Sequence, residues 1–368
     1  MSMTKPTPIQ LKAPLTLESG QLLTDVQIAY EAYGQLSDQK DNVILICHPL
    51  TLSAQVAGNS DPAGEHIGWW SALIGPGKAI DTNRFYVICT NTLGSCLGST
   101  GPASLCPKTK RPYATDFPVI TIADMVNAQR QALSQLGIDQ FASIIGPSMG
   151  GMLALEWLTR YPEQLQSAVI IAATPRLSLQ SLAFGSVGRH AIQMDPQWQQ
   201  GHYYDQSPPK TGLSVARMIG HITYLSEPAL EEKFGRRLQS KDEYGYDFTH
   251  DFQIESYLHY QGDKFVDRFD ANSYLYLSKA MSYFDLAKTH GSLAKAFQKV
   301  SAKSLIISIS SDWLYPATPI RHMAKALMKQ NKLVTYCNID SSHGHDSFLI
   351  DTDPFANLIQ PFLNGAPS

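Results

Sequence analysis

The segment Gly146-Pro147-Ser148-Met149-Gly150 sets a serine between two glycines, a spacing that can make a nucleophile. In the G-x-S-x-G pattern the serine sits on a sharp turn between a strand and a helix, with its hydroxyl exposed above the sheet. So tight a turn strains the serine backbone and leaves no room for side chains two residues to either side. The helix that starts there also points its positive dipole end at any developing negative charge. Gly151 adds room for close packing. A serine hydroxyl attacks poorly until a histidine takes its proton, and that histidine needs a carboxylate to orient it. In the chain order serine, acid, histidine, the acid candidate is Asp312 in Ser310-Ser311-Asp312-Trp313-Leu314-Tyr315-Pro316. The base candidate is His345 in Ser342-His343-Gly344-His345-Asp346. Position alone leaves His343 open as the base and Asp340 open as the orienting acid, whereas His190 and His259 read as surface or helix-packing residues. Two backbone donors are needed for an oxyanion hole. Met149 N–H follows the nucleophile, and in His48-Pro49-Leu50 the donor falls to Leu50 because proline has no N–H.

These residues need a rigid frame. Short apolar runs at Val43–Cys47, Phe85–Cys89, Ala142–Ile145, Ala168–Ala172, Ser304–Ile309 and Leu333–Ile339 predict strands apolar on both faces, the mark of a parallel sheet covered by helices. Gln21–Tyr33 alternates through Val26, Ile28 and Tyr30 and predicts an antiparallel hairpin at the sheet edge. Thr121-Ile122-Ala123-Asp124 reads as a capping box, and Gly137 can end the helix that follows. Between about Thr174 and Gly291 the strand–helix alternation lapses into helical segments such as Leu213–Leu225 and Asn272–Phe284, then resumes at Lys303. The expected class is α/β: an α/β-hydrolase fold with a mostly parallel, doubly wound sheet. Residues 1–173 and 292–368 form the core domain and residues 174–291 an inserted helical cap.

Composition narrows the function classes. A net charge of −3 with no basic block argues against nucleic acid, which demands clustered Lys and Arg. No apolar stretch approaches the ~20 residues of a membrane span, and Met1–Pro14 lacks the apolar centre of a secretory signal. Five scattered cysteines, with no close pair matched by a second Cys or His pair, predict neither disulfides nor a metal site. The expectation is a cytoplasmic globular enzyme with no metal or bound organic cofactor.

The chain resembles the homoserine O-acetyltransferases over nearly its whole length. The resemblance is carried by Gly68-Trp69-Trp70, Ile74–Lys78, Gly98–Pro102, Asp116-Phe117-Pro118, Gly146–Met152 with Glu156-Trp157, and Ala216–Tyr224. Phe234-Gly235-Arg236, Ser273-Tyr274-Leu275, Asp312-Trp313 and Gly344-His345-Asp346 continue it. It implies that Ser148 takes an acyl group from acyl-CoA and passes it to the γ-hydroxyl of L-homoserine, a step toward methionine. It assigns His345 as the base, Arg217 to the amino acid's carboxylate, Asp346 to its ammonium and Tyr224 to the substrate-binding set. A homodimer joined through the cap helices is implied as well. Relatives that use succinyl-CoA carry arginine after the Asp-Trp pair; Leu314 stands there in this chain, which favours acetyl-CoA. The loop after the early strand departs from the family's His-Ala-Leu-Thr-Gly and reads His48-Pro49-Leu50-Thr51-Leu52, which leaves serine open as an acceptor. An esterase or thioesterase would use the same triad, differing in whether water reaches the acyl-enzyme. A non-catalytic binding module is the remaining reading.

Overall fold

The structure is a computed structural model that describes residues 7–58, 67–240 and 242–365. Its main sheet has eight strands: β1 (Thr7–Gln10), β2 (Gln27–Tyr33), β3 (Val43–Ile46), β4 (Tyr86–Thr90), β5 (Ser143–Pro147), β6 (Ser167–Ile171), β7 (Lys303–Ile309) and β8 (Val334–Ile339). Their order across the sheet is β1-β2-β4-β3-β5-β6-β7-β8, with β2 antiparallel to both its neighbours and the rest parallel.

Successive residues of a strand point to opposite faces, and the sequence obeys this on both. Ile44, Ile46, Ile145, Val169, Ile171, Leu305 and Ile307 pack on one face with Trp70, Phe355 and Ile359. Val43, Leu45, Ile144, Ala168, Ile170 and Ile306 pack on the other with Trp157. The central strands are therefore buried at nearly every position, and mostly apolar, because both faces are covered. Strand β8 is the exception: Thr335 and Asn338 are exposed and Val334, Tyr336 and Cys337 only partly covered, as on an edge strand.

The hairpin expected over Gln21–Tyr33 does not form as one unit. Asp25 takes a positive φ of 54° and breaks the segment. Before the break Leu22–Leu23 pairs with Leu15–Thr16 around the Gly20 turn; after it β2 lies between β1 and β4, one strand in from the edge.

Helix α1 (Ile122–Gln135) begins with the capping box: Asp124 N–H donates to Thr121 Oγ1 at 3.2 Å, and Thr121 N–H donates to Asp124 Oδ2 at 2.9 Å. Gly137 follows with φ 71°. Helix α2 (Met149–Arg160) is bound to α1 and to the sheet through buried side chains. Trp157 Nε1 donates to Gln129 Oε1 at 3.0 Å, and Gln129 Nε2 donates to Thr90 Oγ1 at 2.9 Å.

Between β6 and β7 the chain leaves the sheet and forms α3 (Leu179–Met194), α4 (Lys210–Tyr224), α5 (Glu227–Lys233), α6 (Gln253–Val266) and α7 (Ala271–Tyr283). The two ends of this insertion meet at a bridge between Arg176 and Asp285, beside which Leu286 N–H donates to Pro175 O at 3.0 Å. α4 packs between α3 and α6. Its C-terminal end is tied to the loops after β7 and β8: Trp313 Nε1 donates to Leu225 O at 2.9 Å, and Ser226 Oγ donates to Ser342 O.

Candidate active site

Four loops that leave the C-terminal ends of β3, β5, β7 and β8 converge on one point, where open α/β sheets place their ligands. Ser148 directly follows β5 and caps α2 with φ 56° and ψ −124°, a backbone state L-residues rarely adopt. The flanking glycines make this turn possible. A Cβ on Gly146 would come 2.0 Å from Gly150 O, and one on Gly150 would come 1.9 Å from Cys47 O at the end of β3. An alanine at Gly146 would push β5 from the start of α2, and one at Gly150 would push α2 from the end of β3.

His345 Nε2 lies 2.8 Å from Ser148 Oγ, and His345 Nδ1 lies 2.7 Å from Asp312 Oδ2. Asp312 is in turn fixed by two backbone donors, Leu314 N–H at 3.0 Å and Tyr315 N–H at 2.8 Å, both to Oδ1. All three side chains are nearly covered: 7% exposed for Ser148, 3% for Asp312 and 2% for His345. Burial alone would push the imidazole down, but the charge and hydrogen bond of Asp312, with Asp346 adding, hold it net above its ordinary value. Such an imidazole can take the Ser148 proton and stay stable as the cation. The alternatives left open by position lie elsewhere. Asp340 is exposed and accepts from Ser310 Oγ at 2.8 Å, and His343 is placed by its backbone N–H on Ser341 Oγ.

Next to Leu50, the oxyanion donor expected from the sequence, lies a buried histidine. His48 is 0% exposed; its Nδ1 lies 2.7 Å from Pro49 O, and its Nε2 accepts from Thr92 N–H at 3.0 Å. Since Nε2 accepts, the ring proton resides on Nδ1 and donates to Pro49 O. Burial pushes His48 down to about 4, so it stays neutral at working pH. The Pro49–Leu50 peptide is trans, as every described peptide bond is, so holding its carbonyl on His48 turns Leu50 N–H the other way. Leu50 lines the same cavity as Ser148. Loss of an aimed oxyanion donor costs about 10²–10³-fold in kcat, so His48→Ala is expected to lower kcat about a hundredfold with little change in KM. Steady-state kinetics check this, and an unchanged kcat would remove His48 from the catalytic geometry.

The cavity at Ser148 is small, about 80 Å³, and is lined by Leu50, Tyr224, Leu314, Tyr315 and hydroxyls such as Ser181 and Thr223. No Lys, Arg or His is among its lining residues. Tyr315 stacks on the His345 ring at 4.9 Å, a contact the sequence reading missed although Tyr315 stands three residues after Asp312.

A chain that folds, caps and presents these groups so closely has relatives to match. A profile for the alpha/beta hydrolase fold matches residues 42–352. A homoserine O-acetyltransferase of Zymomonas mobilis is 53% identical over 359 residues, covering 97% of this chain and 96% of the relative. The crystal structure of a homoserine O-acetyltransferase from Bacillus anthracis superposes with a TM-score of 0.92 at 33% identity, covering all of both chains. This chain belongs to the homoserine O-acetyltransferase family. The structure of esterase E22 also superposes closely, with a TM-score of 0.90 at 31% identity over 98% of this chain and all of that one.

The three residues that family resemblance assigns to substrate are brought near the triad but not all into the cavity. Tyr224 lines it; Arg217 and Asp346 do not. Arg217 rests 4.8 Å from the Phe265 ring centre and 5.7 Å from that of Tyr224, and its Nη1 donates to Thr51 Oγ1 at 3.3 Å. Its Nε is buried with no hydrogen-bond partner, and no carboxylate lies within ion-pair distance among the described residues. Burial pushes Asp346 up to about 6, against the pull of His345 and Arg217. Lys233 and Arg268, which the sequence reading did not single out, complete a cationic group. Burial first, then Arg217, Lys233 and Arg268, hold His221 down at about 3. Arg217 is partly buried and draws on Asp346, while Lys233 and Arg268 are exposed; the group carries more positive than negative charge and is prepared to receive an anion.

Proposed function

We propose that this chain is a homoserine O-acetyltransferase working by two acyl transfers on Ser148. The observation that carries it is the Ser148–His345–Asp312 chain near Arg217, whose buried Nε has no partner. In the first transfer Ser148 Oγ attacks the thioester carbon of acetyl-CoA while His345 takes the serine proton. The C–S bond then breaks, and the proton leaves with CoA. In the second, His345 removes the proton of the homoserine γ-hydroxyl, that oxygen attacks the acetyl carbon, and the proton returns to Ser148 as its ester breaks. Met149 and Leu50 N–H stabilise the oxyanion in both halves. Arg217 holds the α-carboxylate, Asp346 the ammonium, and Tyr224 closes the pocket. Acyl-CoA enters as a substrate and no cofactor is required.

The lining of the cavity supports acetyl over succinyl. A succinyl carboxylate would need a cation beside it, whereas Leu314 stands there. Esterase chemistry is the second reading, favoured by the resemblance to esterase E22. Free CoA release from acetyl-CoA and succinyl-CoA, with and without homoserine or serine, separates these outcomes. Release that requires homoserine and yields O-acetylhomoserine supports the proposal; release indifferent to any amino acid makes the chain a thioesterase and overturns it.

Arg217→Lys is expected to raise KM for homoserine about tenfold or more with a smaller effect on kcat, because an ammonium cannot reproduce the two-pronged contact to a carboxylate. An unchanged homoserine KM would take the carboxylate role from Arg217. We also infer a homodimer through the cap, where Val215 and Ile222 on α4 and Tyr260 on α6 are exposed. Light scattering at the mass of one chain would exclude it. Five free cysteines fit a reducing, cytoplasmic setting; among the described residues no helix is long and apolar enough to cross a membrane.

A further inference from the structure

A second, larger cavity of about 670 Å³ lies between α3 and α7, and its walls include Arg189, His190 and Lys279 but no carboxylate. We propose that this groove binds the phosphates of the acyl-CoA donor while the thioester reaches Ser148; the inference rests on the acyl-CoA reading above. Three observations carry it.

The groove and the reaction cavity are neighbours along the same two helices. On α3, Ser181, Phe184 and Gly185 line the reaction cavity, and Ser186, Arg189 and Gln193 line the groove. On α7, Tyr274 and Ser278 belong to the former, and Leu275 and Lys279 to the latter. From Ser181 to Gln193 a helix rises about 18 Å, at about 1.5 Å for each of the intervening steps. That is the scale of an extended arm joining a thioester to a phosphorylated nucleotide.

Arg189 stands where the two spaces meet. Its Nη1 faces Ser278 Oγ at 3.5 Å and Ser282 Oγ at 3.4 Å, and both serines line the reaction cavity. Neither Arg189 nor Lys279 has a carboxylate within ion-pair distance among the described residues. Lys279 lies 4.9 Å from the Tyr283 ring centre, and the carboxylate felt at the groove wall is Asp116, through Tyr276. Burial also lowers the guanidinium's affinity for its proton, a cost that an anionic ligand would offset. The remaining walls, Trp198, Tyr276 and Val187, offer flat apolar surface on which a nucleobase can rest.

The experiment compares acetyl-CoA with S-acetylpantetheine, which keeps the thioester arm and lacks every phosphate. In the parent enzyme kcat/KM should favour acetyl-CoA. Arg189→Ala and Lys279→Ala should each reduce that preference about tenfold, the worth of one charge-assisted contact, through KM for acetyl-CoA. Arg189→Lys should restore part of it, and homoserine KM should not follow the change. An unchanged preference, or equal losses with both donors, would overturn the proposal. So would variants that abolish an effect of added inorganic phosphate while leaving the preference intact, since the groove would then hold a free anion. Absence of homoserine-dependent transfer in the parent enzyme would instead indict the acyl-CoA reading, leaving a distinct signature.

Discussion

Ser148→Ala is expected to lower kcat for homoserine-dependent acetyl transfer about a millionfold, the loss typical of removing a triad nucleophile. With Oγ gone, His345 Nε2 has no proton to take and no acyl-enzyme can form, so the residual rate reflects the oxyanion donors and binding alone. Mixing with acetyl-CoA in the absence of homoserine should add one acetyl group to the parent protein by intact mass and none to the variant. Alanine keeps the Cβ, and therefore keeps the strain of φ 56°, so Tm should scarcely move. Ser148→Gly relieves that strain and should raise stability by about 1 kcal/mol while being equally inactive. A clean Ser148→Ala preparation that retains turnover within a hundredfold of the parent would remove Ser148 as the acyl carrier. If Ser148→Gly were less stable than Ser148→Ala, the turn would not be strained in the way the backbone indicates.

How much of this was visible in the residues follows from whether the causes are local. The glycines around Ser148, the capping box at Thr121 and the buried runs of β3 to β7 are decided within a few residues, and the sequence states them directly. The N-terminal ribbon was misread because alternation continues across Asp25 while its backbone does not: a positive φ at a non-glycine leaves no mark on an apolar pattern. The last strand was read as two-sided because Leu333, Val334 and Ile339 outweigh Thr335 and Asn338, though β8 is an edge. Choosing His345 over His343 needed three-dimensional distances or a family resemblance, since two residues of separation cannot say which ring faces Ser148. The His48 clasp, Tyr315 on the imidazole and Lys233 with Arg268 near Arg217 depend on contacts between distant segments. They have no local signal at all.

Asp312→Asn is expected to cut kcat about 10⁴-fold while leaving the fold intact, and its pH profile should identify the cause. The Asp312 carboxylate accepts from His345 Nδ1–H and so leaves Nε2 free to take the serine proton. An asparagine can turn its amide N–H toward Nδ1 and stabilise the other tautomer, with the proton on Nε2 facing Ser148. The base must be neutral to act, so activity falls as pH drops through its pKa. In the parent, burial pulls His345 down, and the charge and hydrogen bond of Asp312 together with the charge of Asp346 pull it up by more, so the acid limb lies above the ordinary imidazole value of about 6.5. Without the carboxylate, burial remains the larger influence and the limb should move to lower pH. Asp346, raised to about 6, titrates on the same limb, so the apparent value belongs to the coupled groups. Asp340→Asn serves as the comparison: Asp340 is exposed and bonded to Ser310, so both plateau and limb should stay within twofold of the parent. A plateau for Asp312→Asn within tenfold of the parent would show that another group orients His345. A limb that moves to higher pH would show that the carboxylate does not hold the imidazolium.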